Sequence, residues 1–160
     1  LPMTDEMGEQ CVETYRRLFN ENNALYVIPT FPHVMETLHQ LHEQGYTLTI
    51  ASSRSNRSLM EFVNDMQLND VIPYVLGAED VTRAKPHPDP VLQTLDTFGC
   101  KAEDALVVGD TWYDIEMGRR AGVRTCGVTY GNGSREELMR AGADFLVDDF
   151  GELMKLVGGK

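Results

Sequence analysis

The stretch ALVVGDTWYDIEMGRRAGVRTCGV, residues 105 to 128, decides the architecture. Its first five residues are apolar throughout, the pattern of a strand covered by helices on both faces. A short helix follows to Ala121, and VRTCGV at 123–128 reads as a second strand. Strand, helix and strand at this spacing make a βαβ unit with parallel strands. Just past the first strand stand two carboxylates, Asp110 and Asp114, four positions apart. On a helix such a pair repels by about 0.2–0.5 kcal/mol, and a cation held between them would turn repulsion into attraction.

The same alternation runs outward in both directions. Upstream, residues 6–20 form an amphipathic helix with Cys11, Tyr15, Leu18 and Phe19 near helical spacing, closed by the polar ENN at 21–23. A second helix is expected from Pro32, as a first-turn proline, to Gln44, with Gly45 as its stop. YTLTIAS at 46–52 reads as a buried strand, and a helix carrying Leu59, Phe62, Val63 and Met66 follows the polar SSRSNRS. VIPYVLGAED at 71–80 holds a short strand, and Asp89-Pro90 supply the N-cap and first residue of another helix. Downstream, Ser134 and Glu137 form a capping box, DFLV at 144–147 is a strand, and Asp149 opens a last helix. The fold class is therefore α/β, a doubly wound parallel sheet.

At 160 residues the chain is large enough for one domain with a real core. Its net charge of −11, unrelieved by any Lys/Arg cluster, repels nucleic acid and anionic membranes. Three cysteines, Cys11, Cys100 and Cys126, show neither disulfide nor zinc spacing, which suits a reducing cytoplasm. No apolar run approaches the length of a membrane span.

In open parallel sheets ligands bind beyond the carboxyl ends of the strands. Ser52 ends YTLTIA, Asp110 ends ALVVG, Asp114 lies in the next helical turn, and Lys85 sits in TRAKPHPD, where prolines keep the backbone extended. A hydroxyl, an ammonium and two carboxylates on one rim can receive a phosphate and a hard divalent cation such as Mg²⁺. Taken singly, each has an ordinary reading. Asp114 could complement a helix N-terminus, Ser52 and Ser53 could be turn hydroxyls, and Lys85 a solvated surface lysine. His39 and His42 read as helix-surface residues, His87 as a loop residue near the rim, and Gly131-Asn-Gly133 as a turn.

Their joint order, Ser after a strand, then AKPHPDP, then GDTWYD, resembles the haloacid dehalogenase (HAD) superfamily of phosphohydrolases. The run from GDTWYD to GSREEL, and FPHVMETLHQLHEQGYTLTIASSR, are most similar to its phosphoglycolate phosphatase-like branch. The resemblance covers roughly residue 4 to the end. It implies catalytic roles for Ser52, Lys85 and Asp110, substrate contacts from Ser52, Ser53, Arg54 and Lys85, and Mg²⁺ held by Asp110 and Asp114. It further implies a small phosphorylated metabolite as substrate.

The family's first motif, D-x-D-x-T/V, carries the nucleophile on the central strand, and no D-x-D occurs here. The resemblance implies that residues 5–22 are the last helix of a helical cap. Residues 1–24 would be its C-terminal part, and residues 25–160 an α/β core lacking its first strand. It then implies a gap between the strands ending at Ser52 and Asp110, and an inactive chain until that segment is supplied. Within the fold, a phosphosugar mutase, a dehalogenase or a pyrophosphatase stays open. A non-catalytic binder of a phosphorylated ligand or partner also stays open, since the nucleophile is missing. A phosphoacceptor receiver domain places its acidic cluster before the hydroxyl and lysine, the reverse of the order here.

Overall fold

The computed structural model describes residues 4–23 and 29–158. The chain divides into two compact units, Leu1–Phe31 and Pro32–Lys160. The boundary expected between residues 24 and 25 falls outside the described residues.

The first unit contains helix α1 (Asp5–Asn23). Thr4 starts it, its Oγ1 accepting from the Met7 N–H at 3.3 Å in the manner of an N-cap. Arg17 and Glu21 pair one turn apart at 3.0 Å, while Met7, Val12, Tyr15 and Leu18 are exposed.

The second unit alternates helices and strands as the hydrophobic pattern requires: α2 (Val34–Glu43), β1 (Thr49–Ala51), α3 (Asn56–Asp65), β2 (Tyr74–Leu76), α4 (Asp89–Phe98), β3 (Leu106–Gly109), α5 (Trp112–Ala121), β4 (Arg124–Val128), α6 (Arg135–Ala141), β5 (Phe145–Val147) and α7 (Leu153–Val157). Every strand pair among the described residues is parallel. The fold is α/β and Rossmann-like.

Among the described residues the sheet comes in two pieces, β1–β2 and β3–β4–β5. Between β1 and β3 lies a cavity of about 660 Å³ lined by Thr49 and Ala51 on one side and Leu106, Val107 and Val108 on the other. The burial pattern records the same break. Thr125 and Cys126 in β4 are 0 % exposed, whereas every residue of β1 and β3 is only partly buried. The core is correspondingly divided among separate clusters. One joins Leu59, Val63 and Leu68 to Val75, another joins Cys126, Val128 and Val147 to Leu153, and a third joins Val91, Met117 and Val123.

Several local expectations need correction. Pro32 precedes α2 rather than opening it; His33, in a left-handed conformation at φ 60°, is the N-cap. The strand expected over 46–52 contracts to Thr49–Ala51, the residues that find a partner in β2. Asp89 and Pro90 lie one position further into α4 than expected, behind the N-cap Pro88. Arg83 holds the Asp89 carboxylate through two bonds of 3.1 and 3.0 Å, which keeps it below the usual carboxylate pKa. The last helix is preceded by a 3-10 turn (Phe150–Glu152), which Asp149 caps through the Gly151 N–H at 2.8 Å. The capping box of Ser134 and Glu137 stands as read.

Candidate active site

Parallel strands point their carboxyl ends to one edge, and there the loops after β1, β2 and β3 deliver the polar residues. Lys85 comes from the loop before α4, and its Nζ lies 2.6 Å from Oδ1 of Asp114. Both side chains are largely buried, at 17 % and 10 % exposure. Partial removal from water strengthens the attraction between them. Asp114 is the third residue of α5, and its Oδ2 reaches back to accept from the Thr111 N–H at 3.1 Å and the Thr111 hydroxyl at 2.7 Å. The carboxylate thus closes a capping box and orients the lysine together.

Asp110 follows β3 directly. Its Oδ2 accepts from the backbone N–H of Asn132 at 2.8 Å and from the Asn132 side-chain amide at 3.0 Å. Its carbonyl accepts from the Gly133 N–H at 2.8 Å. The loop after β4 therefore wraps the aspartate. A Cβ on Gly131 would lie 2.2 Å from that of Asp110, so only glycine fits there. On the other side, a Cβ on Gly109 would lie 2.2 Å from that of Asp114. Gly131-Asn-Gly133 is more than the turn its composition suggests: its grip on Asp110 is a contact between loops that no local pattern announces.

Ser52 follows β1, its N–H donating to the Leu76 carbonyl at 2.9 Å and its Oγ accepting from the Arg54 N–H at 3.2 Å. Ser53 beside it is exposed. Arg54 folds away onto α3: its Nη2 donates to the Ser58 hydroxyl at 2.6 Å, and its guanidinium lies over the Phe62 ring, 5.6 Å from the centroid. The structure thus joins Lys85 to Asp114, sets Asp110 beside them on the same strand end, and leaves Ser52 on the neighbouring half-sheet.

Asp110 and Asp114 supply hard oxygen donors, the set Mg²⁺ accepts when it keeps several waters. Oδ1 of Asp110 takes none of the hydrogen bonds found among the described residues, whereas both oxygens of Asp114 are engaged. No cluster of three or more His, Cys, Asp or Glu side chains suited to a metal occurs among the described residues. The pair fits part of a metal site. Cys126 offers no nucleophile, since burial pushes its thiol up to about 11.

The family model described as haloacid dehalogenase-like hydrolase matches residues 3–128. A pyrophosphatase PpaX of Anoxybacillus flavithermus is 31 % identical over 153 residues, covering 96 % of this chain and 71 % of that protein. A probable phosphatase IndB of Dickeya dadantii is 35 % identical over 159 residues, covering 96 % and 67 %. Among solved structures, a predicted phosphoglycolate phosphatase from Haemophilus somnus superposes with a TM-score of 0.87 at 26 % identity, covering 96 % of this chain and 68 % of the other.

Proposed function

The chain belongs to the haloacid dehalogenase-like hydrolases, and from that premise we propose that it carries most of the catalytic core of a Mg²⁺-dependent phosphomonoester hydrolase. The observation that carries the reading is the 2.6 Å contact of Lys85 with Asp114, at the strand edge that also bears Asp110. A pre-aimed ammonium beside two carboxylates suits a site where phosphate charge and a hard cation meet.

In this reading Ser52, the Ser53 backbone N–H and Lys85 hold the transferring oxygens. Arg54 adds positive charge at the rim once released from Ser58. Asp110 would hold Mg²⁺ directly, and Asp114 directly or through water; the ion would neutralise the phosphate's charge. The nucleophilic aspartate lies outside this sequence, on a strand that fills the cavity between β1 and β3. Its attack on phosphorus forms a phosphoaspartyl group and expels the alcohol, and water then releases phosphate. The chain alone is accordingly inactive. The substrate is a small phosphorylated metabolite, in line with relatives named as a phosphatase and a pyrophosphatase. No helix among the described residues is long and apolar enough to cross a membrane. We place the protein in the reducing cytoplasm, with Cys11, Cys100 and Cys126 all free thiols.

The test uses protein expressed from the complete reading frame. Phosphate release from p-nitrophenyl phosphate, phosphoglycolate and pyrophosphate should require Mg²⁺, stop with EDTA, and fall by orders of magnitude in Asp110→Asn. Full activity in that variant overturns the reading. A complete protein that binds inorganic phosphate without turnover would favour the non-catalytic alternative.

A further inference from the structure

Ser52 and Ser53 lie on a loop with no regular structure, yet a phosphate-binding hydroxyl must be held in place. The hold comes from the neighbouring strand. β1 and β2 run parallel, and the segments that leave them are stitched together beyond the last ladder pair, Ala51 with Leu76. The Ser52 N–H donates to the Leu76 carbonyl, and the Ala78 N–H donates to the Arg54 carbonyl, both at 2.9 Å.

Side chains complete the seam. Asp80 lies in the 3-10 turn after β2, and its Oδ2 accepts from the Gly77 N–H at 2.7 Å and from the Asn56 amide at 2.6 Å. Glu79 from the same turn accepts from the Asn56 backbone N–H at 2.9 Å, satisfying one of the free donors at the start of α3. Gly77 is pressed so close that a Cβ there would lie 2.3 Å from the Asn56 nitrogen and 2.9 Å from the Arg54 carbonyl oxygen. Its backbone is extended, so the requirement is for space and not for an unusual φ. The two sides of the seam are 24 residues apart between Asn56 and Asp80, with helix α3 between them.

We infer that Asp80 is a positioning residue for phosphate binding: through Asn56 and Gly77 it fixes the Ser52–Ser53 loop. This inference rests on the phosphohydrolase reading, since it assigns Asp80 to the same site. The carboxylate touches neither Lys85 nor Asp110 among the described contacts, so its effect passes through the loop alone. One oxygen accepts both bonds, so an asparagine carbonyl can replace it, whereas alanine cannot.

The experiment measures KM, kcat and binding of inorganic phosphate, by calorimetry and by product inhibition, in the complete protein. Asp80→Ala removes both bonds to Oδ2 and should weaken phosphate binding and raise KM by about tenfold or more, the scale of losing hydrogen bonds to a charged group. Asp80→Asn, whose carbonyl can accept both bonds as neutral ones, should restore both to within about twofold of wild type. Asn56→Ala, which removes the partner at a position tolerant of alanine, should shift them in the same direction and serves if Asp80→Ala does not fold. Val63→Ala, deep in the α3 core, is the stability control: it should lower Tm while leaving KM unchanged. Normal phosphate affinity in Asp80→Ala and Asn56→Ala would overturn the inference, as would an Asp80→Asn as defective as Asp80→Ala. A wild type that neither turns over nor binds phosphate would instead bring down the phosphohydrolase reading, and this inference with it.

Discussion

Lys85 and Asp114 join the loop before α4 to the first turn of α5, Nζ to Oδ1 at 2.6 Å, with Asp114 fixed from behind by Thr111. The pair is a constraint as well as an attraction. Removing one partner leaves a largely buried charge without compensation, a loss larger than the pair's own net contribution.

Lys85→Ala should therefore cost about 1–3 kcal/mol of stability, read from urea unfolding at neutral pH. Asp114→Asn should cost a similar amount because it strands the ammonium, although its Oδ can still serve Thr111. The double variant should recover part of the loss, since neither charge is then left alone. A double variant whose cost equals the sum of the singles would show that the two residues are not coupled.

Asp110→Asn should separate activity from stability. An asparagine carbonyl can still accept from the Asn132 N–H, which lies 2.8 Å from Oδ2, so Tm should move little. Activity of the complete protein should nevertheless fall by about a hundredfold or more, the scale seen when a group that stabilises transition-state charge is removed. Raising the Mg²⁺ concentration should recover part of it if the lost charge acts through the ion.

The loop after β4 gives a sharper contrast. Asn132→Ala removes one hydrogen bond at 3.0 Å and keeps the backbone bond, so it should cost about 0.5–1.5 kcal/mol or less. Gly131→Ala puts a methyl group 2.2 Å from the Asp110 Cβ and must push the aspartate or the loop aside. Its activity in the complete protein should drop well below that of Asn132→Ala. Equal activities would show that this loop can yield without disturbing Asp110.

How much of this was legible in sequence depended on distance along the chain. The βαβ unit around Asp110 and Asp114 could be read because an apolar strand, a helical turn and a capping carboxylate are all set by neighbours within a few residues. The expectation of a gap between β1 and β3 came only from the family's strand order, and among the described residues β1 and β3 lie in separate sheets. Contacts between loops were not legible. Asn132 on Asp110 spans 22 residues and Asp80 on Asn56 spans 24, and nothing in a polar turn says which carboxylate it will grip. Strand ends were overdrawn because apolar content marks burial, whereas pairing also needs a partner. Residues 46–48 are without one among the described ladders.

The half-buried strands should show this break in solution. Of the adjacent Val107 and Val108 amides, which point to opposite edges of β3, the one directed away from β4 should exchange faster than those of Cys126 and Gly127, which sit between two strands in β4. In the complete protein, the proposed inserted strand should slow the β3 amides to the rate of β4. Hydrogen exchange that is equally slow in the chain alone would count against an open edge.

His33 and Asp149 tie the start of α2 to the turn before α7, Nδ1 to Oδ2 at 2.7 Å, although 116 residues separate them. The hydrogen bond and the charge of Asp149 raise the His33 pKa above its ordinary 6.5. The same bond, with the Gly151 N–H, holds Asp149 below its ordinary 3.8. The signs are opposite, so the pair acts inside a window. The histidine's contribution is fully present below about pH 6.5 and fades as pH rises through its raised value. The aspartate's is present above its ordinary pKa and is lost as pH falls through the lowered one. Comparing Tm of wild type and His33→Gln from pH 3 to 9 should therefore give the largest difference at about pH 5–6, in the window between the two ordinary pKa values. The difference should shrink on both sides and weaken with added salt, because both side chains are substantially exposed. A difference that is flat with pH would mean that the contact holds α2 by packing, without the ionic bond.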